Sequence, residues 1–197
     1  MPRRIADERR AGILAAVAET LHEEGLAFPS YDRVAGHAAL SRQLVRHYFP
    51  DPEDLMVNAC RRLAGAFLAE IDRRLEASEP EGELEALIDL CLDGPGGADG
   101  LPPTGAFESL LALARSSPAL RRALQNDVRA LNAAFARAAM RRYPDLAKGQ
   151  AAELGLLLVA QVMGHWTMAG TLALGNAGSD ATRAAMAGII AAYVPGR

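Results

Sequence analysis

Residues 33–49 carry three arginines, Arg33, Arg42 and Arg46, and no acid, in a chain whose formal net charge is −3. Such a local excess of positive charge suits a polyanion, and the spacing around it gives that charge a direction. Ser30 can cap a short helix that turns Val34 and Ala35 inward, Ala39 and Leu40 make a tight turn, and Ser41 can cap a second short helix carrying Leu44, Val45 and Tyr48. Two short helices across a tight turn can seat the second in the DNA major groove, its first residues facing base edges. Arg42 and Gln43 occupy that end, and their side chains have the donors that read guanine and adenine. Arg46 and His47 lie one turn further, with Gln43 the best base reader and His47 better suited to the backbone. Ser30, Tyr31, Ser41 and Tyr48 can reach phosphate, which a free helix N-terminus also favours. The same spacing also describes a solvated, arginine-rich helix in an ordinary bundle.

Other chemistries fail on residue type or spacing. The histidines, His22, His37, His47 and His165, never stand four apart, so no helix carries a two-histidine zinc face. Glu19 and His22 match half of a di-iron bundle motif, which needs a second such pair. The glycine cluster at 94–100 fits neither a dinucleotide fingerprint nor a phosphate loop, and there is no nucleophile elbow. Cys60 and Cys91 are too few and too far apart for a disulfide framework or a structural zinc site. The sequence therefore predicts no catalytic residue, no metal and no cofactor.

The elements that must position the 30–49 segment are helical. Of 197 residues 40 are alanine, the best helix former, and no segment alternates apolar and polar residues. Helices are expected at 7–24, after Ser30, after Ser41, from Asp51-Pro52-Glu53-Asp54 to Leu75, and at 83–92, 104–115, 118–142, 147–174 and 180–194. Gly25 stops the first, and Asp51 with Pro52 starts the fourth. Residues 93–104 read as a long loop. The stretch 154–174 has the length of a membrane span but contains Gln161 and His165, as a fully buried helix can. With a charged N-terminus and no apolar leader, the expectation is a soluble, cytoplasmic protein with no membrane partner.

The residues Ile13-Leu-Ala-Ala-Val-Ala-Glu-Thr-Leu-His-Glu-Glu-Gly25, then Val34-Ala35, Ala38, Leu40-Ser41-Arg42, His47-Tyr48-Phe49 and Glu53-x-Leu55, resemble the DNA-binding head of the tetracycline-repressor (TetR) family. The match covers about residues 9–56. It implies an all-α protein with a three-helix, helix-turn-helix DNA-binding head at 1–50 and a larger ligand-binding and dimerising bundle at 51–197. It also implies a homodimeric transcription regulator, usually a repressor released by a small molecule. The alternative is an all-helical small-molecule-binding or catalytic protein whose head no longer binds DNA. Three positions depart from the family pattern. Ala39 stands where the turn usually has glycine, Arg46 where a tyrosine commonly touches the DNA backbone, and Asp51-Pro52 where a lysine often begins the fourth helix.

The second half supplies expectations for partner and effector. Segments 150–174 and 181–194 are apolar enough to form a symmetric dimer interface, with Gly155, Gly164 and Gly170 allowing close approach and Met186, Ile189, Ile190 and Tyr193 adding apolar contact. Two-fold pairing implies a near-palindromic operator on double-stranded DNA. A pocket in the bundle is expected to be walled by Phe67, Cys91, Phe107, Leu111, Phe135, Met163 and Trp166. Gln161 and His165, four apart on one helical face, are either its polar anchors or dimer contacts. Few charges appear among the wall candidates, so the expected effector is an uncharged, largely apolar small molecule rather than a phosphorylated one, with a carboxylate ligand held by Arg115, near a helix end, as the alternative.

Overall fold

The computed structural model describes residues 2–24, 29–93, 104–172 and 178–194. Among them the chain forms nine α-helices and no strand: α1 (Pro2–Glu24), α2 (Tyr31–His37), α3 (Arg42–Tyr48), α4 (Pro52–Glu76), α5 (Glu83–Asp93), α6 (Thr104–Leu113), α7 (Pro118–Arg142), α8 (Lys148–Trp166) and α9 (Ser179–Tyr193). A 3₁₀ turn, Pro80–Gly82, leads into α5, and a π-helical turn, Thr167–Thr171, follows α8. The all-helical expectation holds. Helix α1 begins earlier than its apolar stripe, because straight-chain charged residues extend a helix at little cost and Arg4 and Glu8 pair one turn apart. The expected loop at 93–104 falls almost wholly outside the described residues, as does the end of the expected 147–174 helix.

The helices sort into two compact units, Met1–Gly65 with Pro102–Gln125, and Ala66–Leu101 with Asn126–Arg197. Compactness thus groups the first half of α4, α6 and the start of α7 with the head, whereas the 50/51 boundary follows the motif.

In the first unit, α1 packs on α2 and α6, and α2 on α3. Ile13, Val17 and Leu21 of α1 share a core with Val34 and Ala35 of α2, Val45 of α3, Phe49, and Leu55 and Met56 of α4. Ser109 of α6 donates to the carbonyl of Leu21 at 3.2 Å. Asp51 caps α4 by accepting from the Glu53 N–H at 2.9 Å, as its Asp-Pro start predicts. Ser117 caps α7 by accepting from Leu120, and Arg121 binds the carbonyls of Ala114 and Arg115 across the preceding turn.

In the second unit, α5 packs on α8 and α9, and α8 on α9. Arg183 of α9 pairs with Asp89 and Asp93 of α5, and Arg141 of α7 with the buried Glu83. Two expectations for the dimer interface change here. Gly155 is buried against α7, where a Cβ would lie 2.8 Å from the Asn132 carbonyl oxygen, so its missing side chain serves packing within the chain. Met186 is fully buried, because it points into its own unit.

At the turn between α2 and α3, alanine stands at a position whose backbone favours glycine. The Leu40 N–H bonds the Ala35 carbonyl at 2.9 Å and the Ala39 N–H bonds the Gly36 carbonyl at 3.2 Å, a helix stop that needs a left-handed residue between. That residue is Ala39, with φ of 51°. Ala39→Gly should therefore stabilise the fold by about 0.5–1 kcal/mol, raising the melting temperature by about 1–4 °C at fixed protein concentration. A thermal melt checks it.

Candidate functional site

Helix α3 is seven residues long and is capped by Ser41, whose hydroxyl accepts from the Leu44 N–H at 3.2 Å. Val45 is fully buried, while Arg42, Gln43, Arg46 and His47 are all exposed. Helical spacing puts these four on one face, opposite Val45. With the cap's free N–H groups at its start, this face presents two guanidinium groups, an amide and an imidazole together.

The surrounding residues set how that face is held. The Tyr31 hydroxyl donates to the Phe49 carbonyl at 2.7 Å, tying the start of α2 to the end of α3, and burial pushes the phenol above its usual range. Tyr31 therefore keeps its proton for that bond. The Arg46 guanidinium lies 5.9 Å from the Tyr31 ring centre. Ser30 caps α2 at 3.4 Å from the Arg33 N–H. Tyr48 is half-buried, edge-on to His47, with the Arg10 guanidinium 5.9 Å from its ring centre. Arg42 forms an exposed ion pair with Asp32 at 3.2 Å. Exposed pairs are worth at most about 1 kcal/mol, so a phosphate can displace the acid. Arg10 and Asp32 are absent from the sequence-based set, since each acts across helices and has no local spacing signal.

The expected pocket walls divide between the units. Phe67 and Trp166 meet edge to face at 5.5 Å in the second unit, and the Trp166 indole donates to the Cys91 carbonyl at 2.7 Å. His165 Nε2 lies 3.2 Å from the Leu92 carbonyl, which can only accept, so the ring donates there. His165 thus has a partner within its own chain, a use that the choice between ligand and dimer contact did not include. Phe135 is fully buried on α7, and Gln161 and Met163 are half-buried on α8. Burial raises the Cys91 thiol far above its usual range, which leaves it a core residue and no nucleophile. Phe107 and Leu111 belong to the first unit, on α6. Between them stands Glu108, which the sequence reading passed over although it is the only acid in residues 104–117.

Glu19 does not combine with His22. Its carboxylate lies within 4.8 Å of those of Glu23 and the His37 ring, all three exposed, with His37 3.4 Å from Glu23. Among the described residues no helix is long and apolar enough to cross a membrane.

No family model matches the chain. It is 33% identical over 120 residues to the HTH-type transcriptional regulator BetI of Ectopseudomonas mendocina (strain ymp), an alignment covering 58% of this chain and 59% of that protein. The match thus spans less than two thirds of the curated relative. The fold is similar to a putative transcriptional regulator, SCO7518, from Streptomyces coelicolor A3(2), with a TM-score of 0.67, 26% identity, and coverage of 93% of this chain and 98% of the other. It is also similar to a TetR transcription regulator from Haloarcula marismortui ATCC 43049, with a TM-score of 0.80, 19% identity, and coverage of 95% and 98%.

If α3 meets duplex DNA, Gln43 is the expected base reader and Arg46 the expected phosphate contact. Gln43→Ala should then change sequence preference at the base pair it contacts, by about 1–3 kcal/mol if a bidentate contact is lost. Arg46→Ala should weaken binding to all duplexes and lower the salt slope by about one unit. Competition binding with single-base variants of a bound duplex, repeated at several salt concentrations, reads both effects.

Proposed function

We propose that this chain, which has the tetracycline-repressor fold over nearly its whole length, is a homodimeric DNA-binding transcription regulator, a repressor whose hold on DNA is released by a small molecule, and not an enzyme. The observation that carries the reading is the exposed face of α3, with Arg42, Gln43, Arg46 and His47 around a capped helix start. Helix-turn-helix units read the major groove with such a face. Ser30, Ser41 and Tyr48 complete the proposed DNA-contacting set from their places beside it, and Tyr31 supports it through Phe49.

The proposed dimer uses α8 and α9. Leu156 and Leu157 of α8 are 56% and 40% exposed, and Ala152, Ala160 and Gly164 continue the exposed face at helical spacing. On α9 the exposed residues Ala181, Ala184, Ala185, Gly188 and Ala192 form a small-residue stripe that allows close helix approach. Exposed apolar surface of this kind marks an interface, and a two-fold dimer would present two heads to a near-palindromic operator. The effector site is proposed among the wall residues of the second unit, Phe67, Cys91, Phe135, Gln161, Met163, His165 and Trp166. A ligand there releases DNA only by binding the DNA-free arrangement of the dimer more tightly.

Two measurements test the reading. Sedimentation should give a dimer at micromolar concentration without DNA, and Leu156→Glu should shift it toward monomer. Binding to a duplex from the gene's own upstream region should weaken steeply with salt, log affinity falling by about 0.9 per phosphate contacted for each tenfold rise. A salt-insensitive or undetectable interaction would contradict it.

A further inference from the structure

Both carboxylate oxygens of Glu108 are shielded from solvent, yet neither has a hydrogen-bond partner among the described residues. A carboxylate in that position is unfavourable, because it has lost water and gained nothing in return. Its place on α6 is informative. Ala106, Leu110 and Leu113 bury one side of the helix in the core of the first unit, and helical spacing puts Glu108 on the opposite side. Leu111, one turn on and 37% exposed, shares that side, while half-buried Phe107 stands at its edge, packed in part against the core. Away from the core, α6 therefore holds one unpartnered, solvent-shielded acid next to an aliphatic side chain and the edge of an aromatic ring. The only base in residues 104–117, Arg115, lies beyond the end of the helix.

We propose that Glu108 anchors the positively charged group of an organic monocation whose apolar body lies along Phe107 and Leu111. The charge of the ligand follows from the carboxylate: a neutral ligand leaves it uncompensated, and an anion is repelled. A hard metal ion needs several oxygen ligands, and this segment supplies no second acid. An organic cation needs none, and its apolar groups are attracted to both the phenyl ring and the leucine. The expected effector thus changes from uncharged to cationic, because the sequence-based wall omitted the acid between two of its members. The binding site stands on Glu108 itself; only its effect on DNA rests on the regulator reading.

The test is calorimetric titration of the DNA-free full-length protein with tetraphenylphosphonium and with tetraethylammonium, using triphenylphosphine oxide as the neutral comparison. At least one cation should bind saturably, and Glu108→Gln should weaken it about tenfold or more while leaving the neutral compound within about twofold. Glu108→Leu, which removes the charge and keeps an apolar side chain, serves as a second variant with the same expected loss. The inference is overturned if neither cation binds the unaltered protein, or if a cation binds either folded variant as tightly. It is equally overturned if the neutral compound loses as much affinity, or if both variants fail to fold, since the carboxylate is then structural. Retention on the upstream duplex is measured alongside. Protein that binds the cation through Glu108 but ignores the duplex overturns the regulator reading alone, and protein that binds the duplex but no cation overturns this inference alone.

Discussion

A helix of seven residues does not hold its shape in water, since the cost of starting a helix is spread over too few bonds. Helices α2 and α3 are both that short, and α3 carries the face proposed to read DNA. What holds them is burial: Val34, Ala35, Val45 and Phe49 enter one core with Ile13, Val17 and Leu21 of α1. The Tyr31–Phe49 hydrogen bond closes the pair from the other end. Because Val45 is locked inward, Arg42, Gln43, Arg46 and His47 are turned outward together, and their direction is set by packing more than by charge. The capping hydroxyls of Ser30 and Ser41 fix where each short helix begins.

The second unit meets a different constraint, that the last carbonyls of a helix need donors. At the end of α5 those donors come from α8, through the Trp166 indole on Cys91 and the His165 ring on Leu92. One side of α8 is thereby fixed inward, with Gly155 admitting the backbone of α7. The other side keeps Leu156 and Leu157 at the surface, which is what a second copy of the chain would cover. A helix that is apolar on nearly every side reads from sequence as one undivided feature; packing turns one side inward and leaves the other at the surface.

Much of this was legible in residue order. Caps at Ser30, Ser41 and Asp51, the starts of α4 and α7 at Pro52 and Pro118, and the inward positions of Val34, Ala35 and Val45 follow from local rules. The left-handed Ala39 was legible only through the resemblance, which puts a glycine at that turn. Contacts between distant segments were not legible. That His165 meets Leu92, that Gly155 meets Asn132, and that Asp32 pairs with Arg42 depends on how helices pack, which spacing along one helix does not encode. Glu108 was missed for another reason. A single acid in an apolar helix looks like an ordinary surface charge until its oxygens are found to be shielded and unpartnered.

The DNA-reading role proposed for α3 is tested most directly by hydroxyl-radical footprinting of the protein on the duplex upstream of its own gene. Two protected half-sites related by two-fold symmetry are predicted, their centres about one helical turn (about 34–36 Å) or a multiple of that apart. Uniform protection along the duplex, or none at low salt, would contradict a dimer that presents two copies of α3 to the major groove.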